Sequence, residues 1–477
     1  CFMADVTDYD LCIIGGGAAG LVTAAGAAAL GAKVILIEQN KLGGDCLYTG
    51  CVPSKALIHS AHVAHTVSQA SRAGLSAILD SVEQQKVLGR VKDVIAQIEP
   101  NDSPERFREL GVEVLFSKAQ FIDDATVIAD ERTITARHFV VATGSRPLIP
   151  DITGLDIVDY FTNETIFRTD ETIKHLIVVG SGPIACELAQ SYARLGAKVS
   201  IISQSGLLPR EDNDLSAVVK SQFESEQIDL YLDVDVELVL KTDTGLAIQI
   251  DNGKHKIIEG SHLLVATGRL ANVDGFGLDK AGVDIISGRL KLDSRLRTTN
   301  RRIFACGDVA GPYLFTHMAE HQAGVVLRNT LFRLPAKSQE RGTPWCTFTS
   351  PELARVGLSE QEAREQNKQH EVYCFPFAEI DRAIVDDQAQ GIVKIITTPR
   401  GKILGASIVG PHAGELIAEF SLAMSAGLSL SALSKTIHLY PSLAQINRRV
   451  ADVRLKSKLT PFKQRLLKKV FGLRGGK

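Results

Sequence analysis

Tyr9–Ile14 is an apolar run that ends in glycines, followed by an alanine-rich stretch of helical character and a second apolar run, Lys33–Glu38. The plan recurs downstream as His175–Val179, the glycines Gly180 and Gly182, a helical stretch, and Lys198–Ile202. Each copy is followed by an apolar run that closes in Ala-Thr-Gly, Phe139–Gly144 after the first and Leu263–Gly268 after the second. Strand, glycine turn, helix and strand make a βαβ unit and imply a parallel sheet. Two such units predict two dinucleotide sites. Beyond a Pro/Gly-containing shift at Leu334–Pro344, Ile392–Thr397 and Ile403–Val409 flank Pro399 and Gly401 as a hairpin would, and helical spacing resumes at Gly414. That last region has no phosphate-binding turn and reads as a separate α+β domain.

A chain of 477 residues predicts roughly three domains. Lys plus Arg number 53 against 55 for Asp plus Glu, so no bulk charge draws the chain toward nucleic acid. Eight cysteines are too sparse for a disulfide-stapled secreted fold; in a reducing compartment a disulfide is more often catalytic than structural. The chain is therefore read as cytoplasmic. The uncharged segment Leu11–Ala32 is long enough to span a bilayer. It is rich in glycine and preceded by Asp5, Asp8 and Asp10 rather than a positive leader, so it is read as a buried strand, turn and helix. Cys1 and Phe2 precede Met3, and nothing is drawn from Cys1.

Gly15-x-Gly17-x-x-Gly20 sits between the first strand and its helix. Glycines there permit a tight turn, close backbone approach to a pyrophosphate, and packing of helix on strand; the helix N-terminus offers unpaired N–H groups to the phosphates. Glu38 ends the next strand, where an acid would take a ribose hydroxyl. Gly180-x-Gly182-x-x-Ala185 is the second fingerprint, and Thr143, Gly144 and Gly268 belong to the two Ala-Thr-Gly corners. After the second unit, Ser203-Gln204-Ser205 offers neither an acid for a 2′-hydroxyl nor an arginine for a 2′-phosphate. Arg210 in the loop beyond could reach a phosphate, which favours NADPH over NADH only slightly.

Cys46 and Cys51 are five residues apart. On a regular helix their Cα atoms would be about 8.6 Å apart, whereas a disulfide spans roughly 4.4–6.8 Å. A bond between them needs a distorted turn, which Gly50 can supply. Pro53 suits a first helical turn, which puts Cys51 at a helix N-terminus, where the dipole favours a thiolate. The spacing is equally met by two ordinary core cysteines. Cys12 and Cys186 lie in the dinucleotide units, and Cys306, Cys346 and Cys374 are expected in the core.

With its neighbours, Leu42-Gly-Gly44-Asp-Cys46-Leu-Tyr-Thr-Gly-Cys51-Val-Pro-Ser-Lys55 resembles the active-site signature of the pyridine nucleotide-disulfide oxidoreductases, the family of dihydrolipoamide dehydrogenase, glutathione reductase and mercuric reductase. The resemblance extends to about Arg449. It implies FAD and NAD(P)H as cofactors, a homodimer, Cys46 as the thiol that meets substrate, Cys51 as the thiol facing the flavin, and a Lys55–Glu187 pair beside the ring. Ile303-Phe-Ala-Cys-Gly307-Asp308 is similar to the second FAD motif, with Asp308 on the ribityl chain. A helix from about His317 would aim its N-terminus at the flavin. Trp345–Glu360 resembles the start of the interface domain.

The pattern breaks near the end. Family disulfide reductases place a His before a Pro as acid–base, with a Glu five residues after the His; here Tyr440 precedes Pro441, Gln445 takes the Glu position, and His438 comes two residues early. Tyrosine titrates near 10 and histidine near 6.5, so turnover of a bulky disulfide that needs proton transfer is expected to be poor unless His438 swings in. Mercuric reductases also lack that base, but carry a vicinal C-terminal cysteine pair and often an N-terminal metal-binding module. This chain ends Phe-Gly-Leu-Arg-Gly-Gly-Lys with no room for a module before Tyr9, so dedicated mercury detoxification is not expected, and no metal site is assigned. From Arg454 to Lys477 there are nine Lys or Arg and no acid, with Leu459, Phe462, Leu466, Val470 and Leu473 at helical spacing. Such a tail can lie on an anionic membrane or an acidic partner, or pack on its own domain.

The expectation is an α/β fold with two Rossmann-like dinucleotide-binding domains and a C-terminal α+β dimerisation domain. It divides into an FAD-binding domain (1–150, returning at 271–340), a NAD(P)-binding domain (151–270), a dimerisation domain (341–452) and a basic tail (453–477). Electrons would run from NAD(P)H through FAD and the Cys46–Cys51 disulfide to a thiol, disulfide, metal or quinone acceptor that the sequence does not identify. The alternatives are a thiol-independent quinone or oxygen reductase and a catalytically silent flavoprotein scaffold.

Overall fold

The computed structural model describes residues 7–475 except 252–254, 333 and 341; Cys1, Asp5 and Lys477 lie outside the described residues. The chain forms two compact units. The first reaches Gln204 and resumes over Leu230–Gln339; the second comprises Ser205–Asp229 and the chain from Glu340 onward.

In the first unit, Tyr9–Ile14 is the central strand of a seven-stranded sheet. It pairs in parallel with Val34–Glu38 on one side and Arg132–Val141 on the other. Val112–Phe116 extends the sheet beyond Val34–Glu38, and Ile303–Ala305 pairs in parallel with Arg132–Val141. The strands read as near-continuous apolar runs because both faces are covered. One face holds Cys12, Ile14, Ile35 and Phe139; the other holds Leu11, Ile13 and Leu36 under helices Ala18–Ala29 and Thr316–Thr330. Each fully buried Leu or Ile stabilises the fold by about 1.5–3 kcal/mol. The uncharged Leu11–Ala32 segment is thus strand, turn and helix, and no helix among the described residues is long and apolar enough to cross a membrane.

A four-stranded sheet in the same unit repeats the plan, with His175–Val179 parallel to Lys198–Ile202 and to His262–Val265. The first Ala-Thr-Gly run begins its strand earlier than the apolar pattern suggests, at Arg132, and leaves the sheet after Val141. The second occupies only His262–Val265. In each copy the Ala-Thr-Gly residues form a corner rather than a strand end, because the alanine carbonyl closes on the glycine turn beside it: Ala142 on Gly15, Ala266 on Gly180. The segments leaving the corners, Ser145–Pro147 and Arg269–Ala271, then pair with each other as an antiparallel ribbon. Thr143 Oγ1 donates to Asn272 O at 2.6 Å and Thr267 Oγ1 donates to Leu148 O at 2.8 Å, so each corner is pinned to the chain leaving the other.

The second unit is a five-stranded antiparallel sheet in the order Pro344–Thr347, Glu352–Gly357, Ile403–Gly410, Ile392–Thr397, Glu371–Pro376. Helices Ala413–Ser425 and Gln445–Ser457 contribute to its core. Helix Asn213–Ser225, which the sequence partition assigns to the nicotinamide domain, belongs here. Buried charges fasten its approach: Trp345 Nε1 donates to Glu211 at 2.8 Å, Arg355 pairs with Glu211 at 3.1 Å, and Lys394 pairs with Asp212, Asp214 and Glu360 at 3.2, 3.0 and 2.7 Å. These carboxylates draw Lys394 well above the usual lysine range, against the opposing effect of its burial.

Candidate active site

The two glycine turns are built alike. Gly15 and Gly180 adopt φ +109° and +124°, a region closed to most side chains, and a Cβ on either would meet the carbonyl of Ala142 or Ala266. A Cβ on Gly20 would run into the Gly15 carbonyl, which lets the first helix sit close on its strand. Gly17 caps that helix, and a Cβ there would meet only Gly44 Cα, at 3.9 Å. Gly182 caps the second helix facing open space. Glycine is thus required by packing at 15 and 20, and leaves the helix N-terminus bare at 17. That bare N-terminus, facing another glycine, fits the pyrophosphate of a dinucleotide such as FAD.

The strand ends that follow differ. Glu38 accepts hydrogen bonds from Gly16 N at 2.6 Å and Asn40 N at 2.8 Å, which holds its carboxylate against the first turn. At the matching place in the second unit, the buried hydroxyls of Ser203 and Ser181 bond each other at 2.8 Å. Arg210 is exposed and belongs to the second unit.

Cys46 lies in a short helix, Gly44–Tyr48, and Cys51 opens the long helix Cys51–Ser68; Thr49 and Gly50 break the two apart. Thr49 N donates to Asp45 O at 2.9 Å, and a Cβ on Gly50 would lie 2.9 Å from that same oxygen. The turn closes this tightly because residue 50 has no side chain. Both cysteines are thiols in this structure, near enough that each shifts the titration of the other. Cys46 holds the Cys51 thiol down at about 6; the Thr316 hydroxyl and the Lys55 charge act in the same direction, against burial and Glu187. Cys46 is driven the other way, far above the usual thiol range, by Cys51 beside it and by burial.

Around the pair, Lys55 Nζ donates to Glu187 Oε2 at 2.8 Å, joining the thiol-bearing helix to helix Pro183–Arg194 of the second glycine unit. Thr316 opens helix Thr316–Thr330 with its hydroxyl 3.5 Å from Cys51 Sγ, and His317 stacks on Phe315 with ring centroids 5.3 Å apart. Asp308 accepts from Ser145 Oγ at 2.5 Å, and burial raises its carboxyl above the usual range. The first unit therefore gathers Cys46, Cys51, Lys55 and Glu187 into one site with Thr316. Asp308 is joined to the thiol turn through Arg269, which bonds Asp45 and stands 3.8 Å from Asp308.

Tyr440, His438 and Arg210 lie in the second unit. Tyr440 is 63% exposed, and its hydroxyl donates to Asp381 at 3.1 Å. That bond and the carboxylate charge raise the phenol above its ordinary value, which makes it a weaker proton donor at neutral pH. The His438 side chain is only 6% exposed. Its Nδ1 faces Thr436 O at 3.1 Å and its Nε2 faces Glu419 at 2.9 Å, while Asn447 donates to the same carboxylate at 2.9 Å. A swinging His438 would have to leave that buried pairing. The expectation that Cys346 and Cys374 are core residues is corrected: Cys346 is half-buried, and Cys374 is exposed on the opposite face of its strand from the buried Tyr373. Cys12, Cys186 and Cys306 are buried.

Sequence reasoning missed Arg269, Asn163, Ser145 and Thr316. Arg269 and Ser145 carried a signal, each standing directly after an Ala-Thr-Gly.

The sequence profile described as "Pyridine nucleotide-disulphide oxidoreductase" matches residues 9–323, and the dimerisation-domain profile of that name matches 343–450. The chain is 33% identical to a mercuric reductase of Bacillus cereus, over 92% of this chain and 70% of that one. It is also 33% identical to the mycothione reductase of Mycobacterium tuberculosis, over 92% and 97%. Among solved structures, a Cu(II) complex of RclA, the HOCl-induced flavoprotein disulfide reductase of Escherichia coli, superposes with a TM-score of 0.82 at 27% identity. That match covers 93% of this chain and 99% of the other.

Proposed function

The chain belongs to the pyridine nucleotide-disulphide oxidoreductase family, and on that footing we propose that Cys46 and Cys51 are its redox pair and pass electrons to a thiophilic metal ion in preference to a bulky disulfide. Members of the family run electrons from NAD(P)H through FAD to a disulfide, and the match to the dimerisation domain supports a homodimer. When bound, FAD would supply the two-electron relay between the nicotinamide and the disulfide. Gly15, Gly17, Gly20, Glu38 and Gly44 would hold its nucleotide end, Thr143, Gly144 and Asp308 its middle, and the Thr316–Thr330 helix, which carries His317, its ring. Gly180, Gly182 and Gly268 would hold the nicotinamide cofactor.

The observation that carries the reading is the tight turn at Gly50, which brings Cys46 and the helix-opening Cys51 together in one site with Thr316 and Lys55. Cys51, the thiolate, is the sulfur suited to face the ring, and Cys46, the thiol, is the one suited to meet the acceptor. Lys55, paired with Glu187, places a cation beside them. The acceptor follows from proton chemistry. Reducing a disulfide delivers protons to leaving thiolates, yet Tyr440 stands at the base position with a raised phenol, and His438 is held by Glu419. A soft metal ion bound by thiolates needs no such donor. The names of two relatives, a mercuric reductase and a reductase captured with Cu(II), point the same way. The test is anaerobic NADPH and NADH oxidation with Cu(II), lipoamide and glutathione disulfide as acceptors. Copper-dependent turnover that Cys46→Ser abolishes supports the reading. Turnover that survives Cys46→Ser favours the thiol-independent quinone or oxygen reductase.

For the tail we propose peripheral contact with an anionic membrane. Helix Pro461–Phe471 buries none of its residues, with Phe462 72%, Leu466 50% and Val470 62% exposed along one side. Lys463, Arg465, Lys468 and Lys469 are its only charged residues. Exposed apolar residues flanked by cations suit an anionic headgroup layer.

A further inference from the structure

We propose that Arg269 is a positioning residue for the thiol pair: it fastens both ends of the turn that carries Cys46 and Cys51, and so governs how readily the two sulfurs join. The inference rests on the redox reading of those cysteines.

The turn has two ends, Asp45 just before Cys46 and Thr49 just before Gly50 and Cys51. It is closed internally: Thr49 N donates to Asp45 O at 2.9 Å, and Thr49 Oγ1 donates to Asp45 Oδ1 at 3.2 Å. From outside, one side chain serves both ends. Arg269, 12% exposed, bonds the other carboxylate oxygen of Asp45 through one terminal nitrogen. Its second terminal nitrogen donates to Asn163 Oδ1 at 3.3 Å, and the buried Asn163 amide donates to Thr49 O at 3.2 Å. The guanidinium thus reaches the first end directly and the second through Asn163.

The arginine is itself rigidly based. It follows the second Ala-Thr-Gly corner and begins the ribbon Arg269–Ala271. Its Nε donates to Ser145 Oγ at 2.7 Å and a terminal nitrogen to Ser145 O at 3.0 Å, both on the opposite ribbon strand. The same Ser145 hydroxyl donates to Asp308 at 2.5 Å, and Arg269 Nε is 3.8 Å from that carboxylate. Asp45 and Asp308 therefore face one buried cation. A planar fork with five donors can serve Asp45, Asn163 and Ser145 at once; an ammonium on a flexible stem cannot. Lysine at 269 would keep the charge between the carboxylates and lose the fork.

The experiment uses the purified full-length flavoprotein equilibrated anaerobically in glutathione redox buffers, then alkylated and peptide-mapped for the Cys46–Cys51 disulfide. Each disulfide formed consumes one oxidised glutathione and releases two reduced ones. A wild-type protein that never forms the disulfide would sink the redox reading itself. Given a wild-type midpoint, Arg269→Met is expected to shift the equilibrium at least tenfold toward the dithiol, about 30 mV for a two-electron couple. Arg269→Lys should shift it nearly as far, since geometry rather than charge is lost, and Asn163→Ala should shift it less in the same direction. Arg146→Met is the control: Arg146 bonds Ala271 O at 3.2 Å and Asp274 at 3.2 Å along the same ribbon without reaching Asp45, and should leave the equilibrium unchanged. Wild-type equilibria in both Arg269→Lys and Asn163→Ala would overturn the proposal, even if Arg269→Met fails to fold. An equal shift in Arg146→Met would overturn it too, by showing that any loosening of the ribbon suffices.

Discussion

The sulfur of Cys51 and the hydroxyl oxygen of Thr316 stand 3.5 Å apart, across 265 residues of sequence. The contact places a hydroxyl donor beside the thiol with the lowered pKa. Because that pKa falls to about 6, the thiolate is the dominant form above pH 6 and is lost as pH drops through it, where an ordinary thiol would still be protonated. Iodoacetamide alkylation of Cys51 in the reduced protein should follow a midpoint near 6. Thr316→Val removes one stabilising donor and should move that midpoint upward; an unchanged midpoint would mean the hydroxyl does not touch the thiolate in solution.

Gly50→Ala places a methyl 2.9 Å from Asp45 O. Overpacking of this kind costs about 1–3 kcal/mol, and the turn can relieve it only by opening. Loss of disulfide formation with retained flavin is the expected outcome, read by thiol titration and flavin absorbance.

Removing Lys55 strips Glu187 of a 2.8 Å partner. Glu187 is buried at 7% side-chain exposure, but Lys55 is 40% exposed, so solvent screens the pair. Lys55→Met should lower stability by about 1–2 kcal/mol, measured by urea unfolding of the holoprotein. Lys55→Met with Glu187→Gln should recover part of that loss.

Tyr440→His with Gln445→Glu would restore the acid–base pattern of the family's disulfide reductases. Proton transfer by a placed side chain contributes roughly 10²–10⁴-fold. The double variant should therefore turn over lipoamide or glutathione disulfide at least tenfold faster than the parent, with copper-dependent turnover little changed. Equal rates would show that the missing base does not limit disulfide reduction. His438→Gln, by contrast, should lower stability by disturbing Glu419 and leave the pH profile of turnover in place.

The tail predicts a partition. Flotation with phosphatidylglycerol vesicles should carry the full chain, pure phosphatidylcholine should not, and a chain ending at Leu459 should float with neither. Phe462→Ser with Val470→Ser should weaken binding more than tenfold while leaving turnover intact. Indifference to lipid charge would exclude the membrane reading and leave an acidic protein partner.

Local signals carried the most in the sequence. The two glycine turns, the strand His175–Val179 and the broken turn between Cys46 and Cys51 are each set within a few residues, where steric rules act directly on the chain. Arg269 and Asp45 are 224 residues apart, and Lys394 and Asp214 are 180 apart. Nothing in the spacing of charges announces such pairs, because each residue alone reads as a solvated surface group. His438 illustrates the limit at short range: its partner Glu419 is only 19 residues away, yet lies on helix Ala413–Ser425 while His438 sits in a loop between helices, so burial of the imidazole was invisible until that loop packed on the helix. Helix Asn213–Ser225 went to the second unit for the same reason, fixed by charges on strands far downstream.

The ribbon between Ser145–Pro147 and Arg269–Ala271 has a consequence for how the two nucleotide units can vary. Since each corner is stapled to the strand leaving its twin, neither phosphate turn can drift without dragging the other, and both hang from a single fulcrum. With the glycine turns holding nucleotides as proposed, changes in nucleotide preference would fall to the outer rims, Glu38 on one copy and the serines on the other. The hinge itself has to stay as it is for either unit to work.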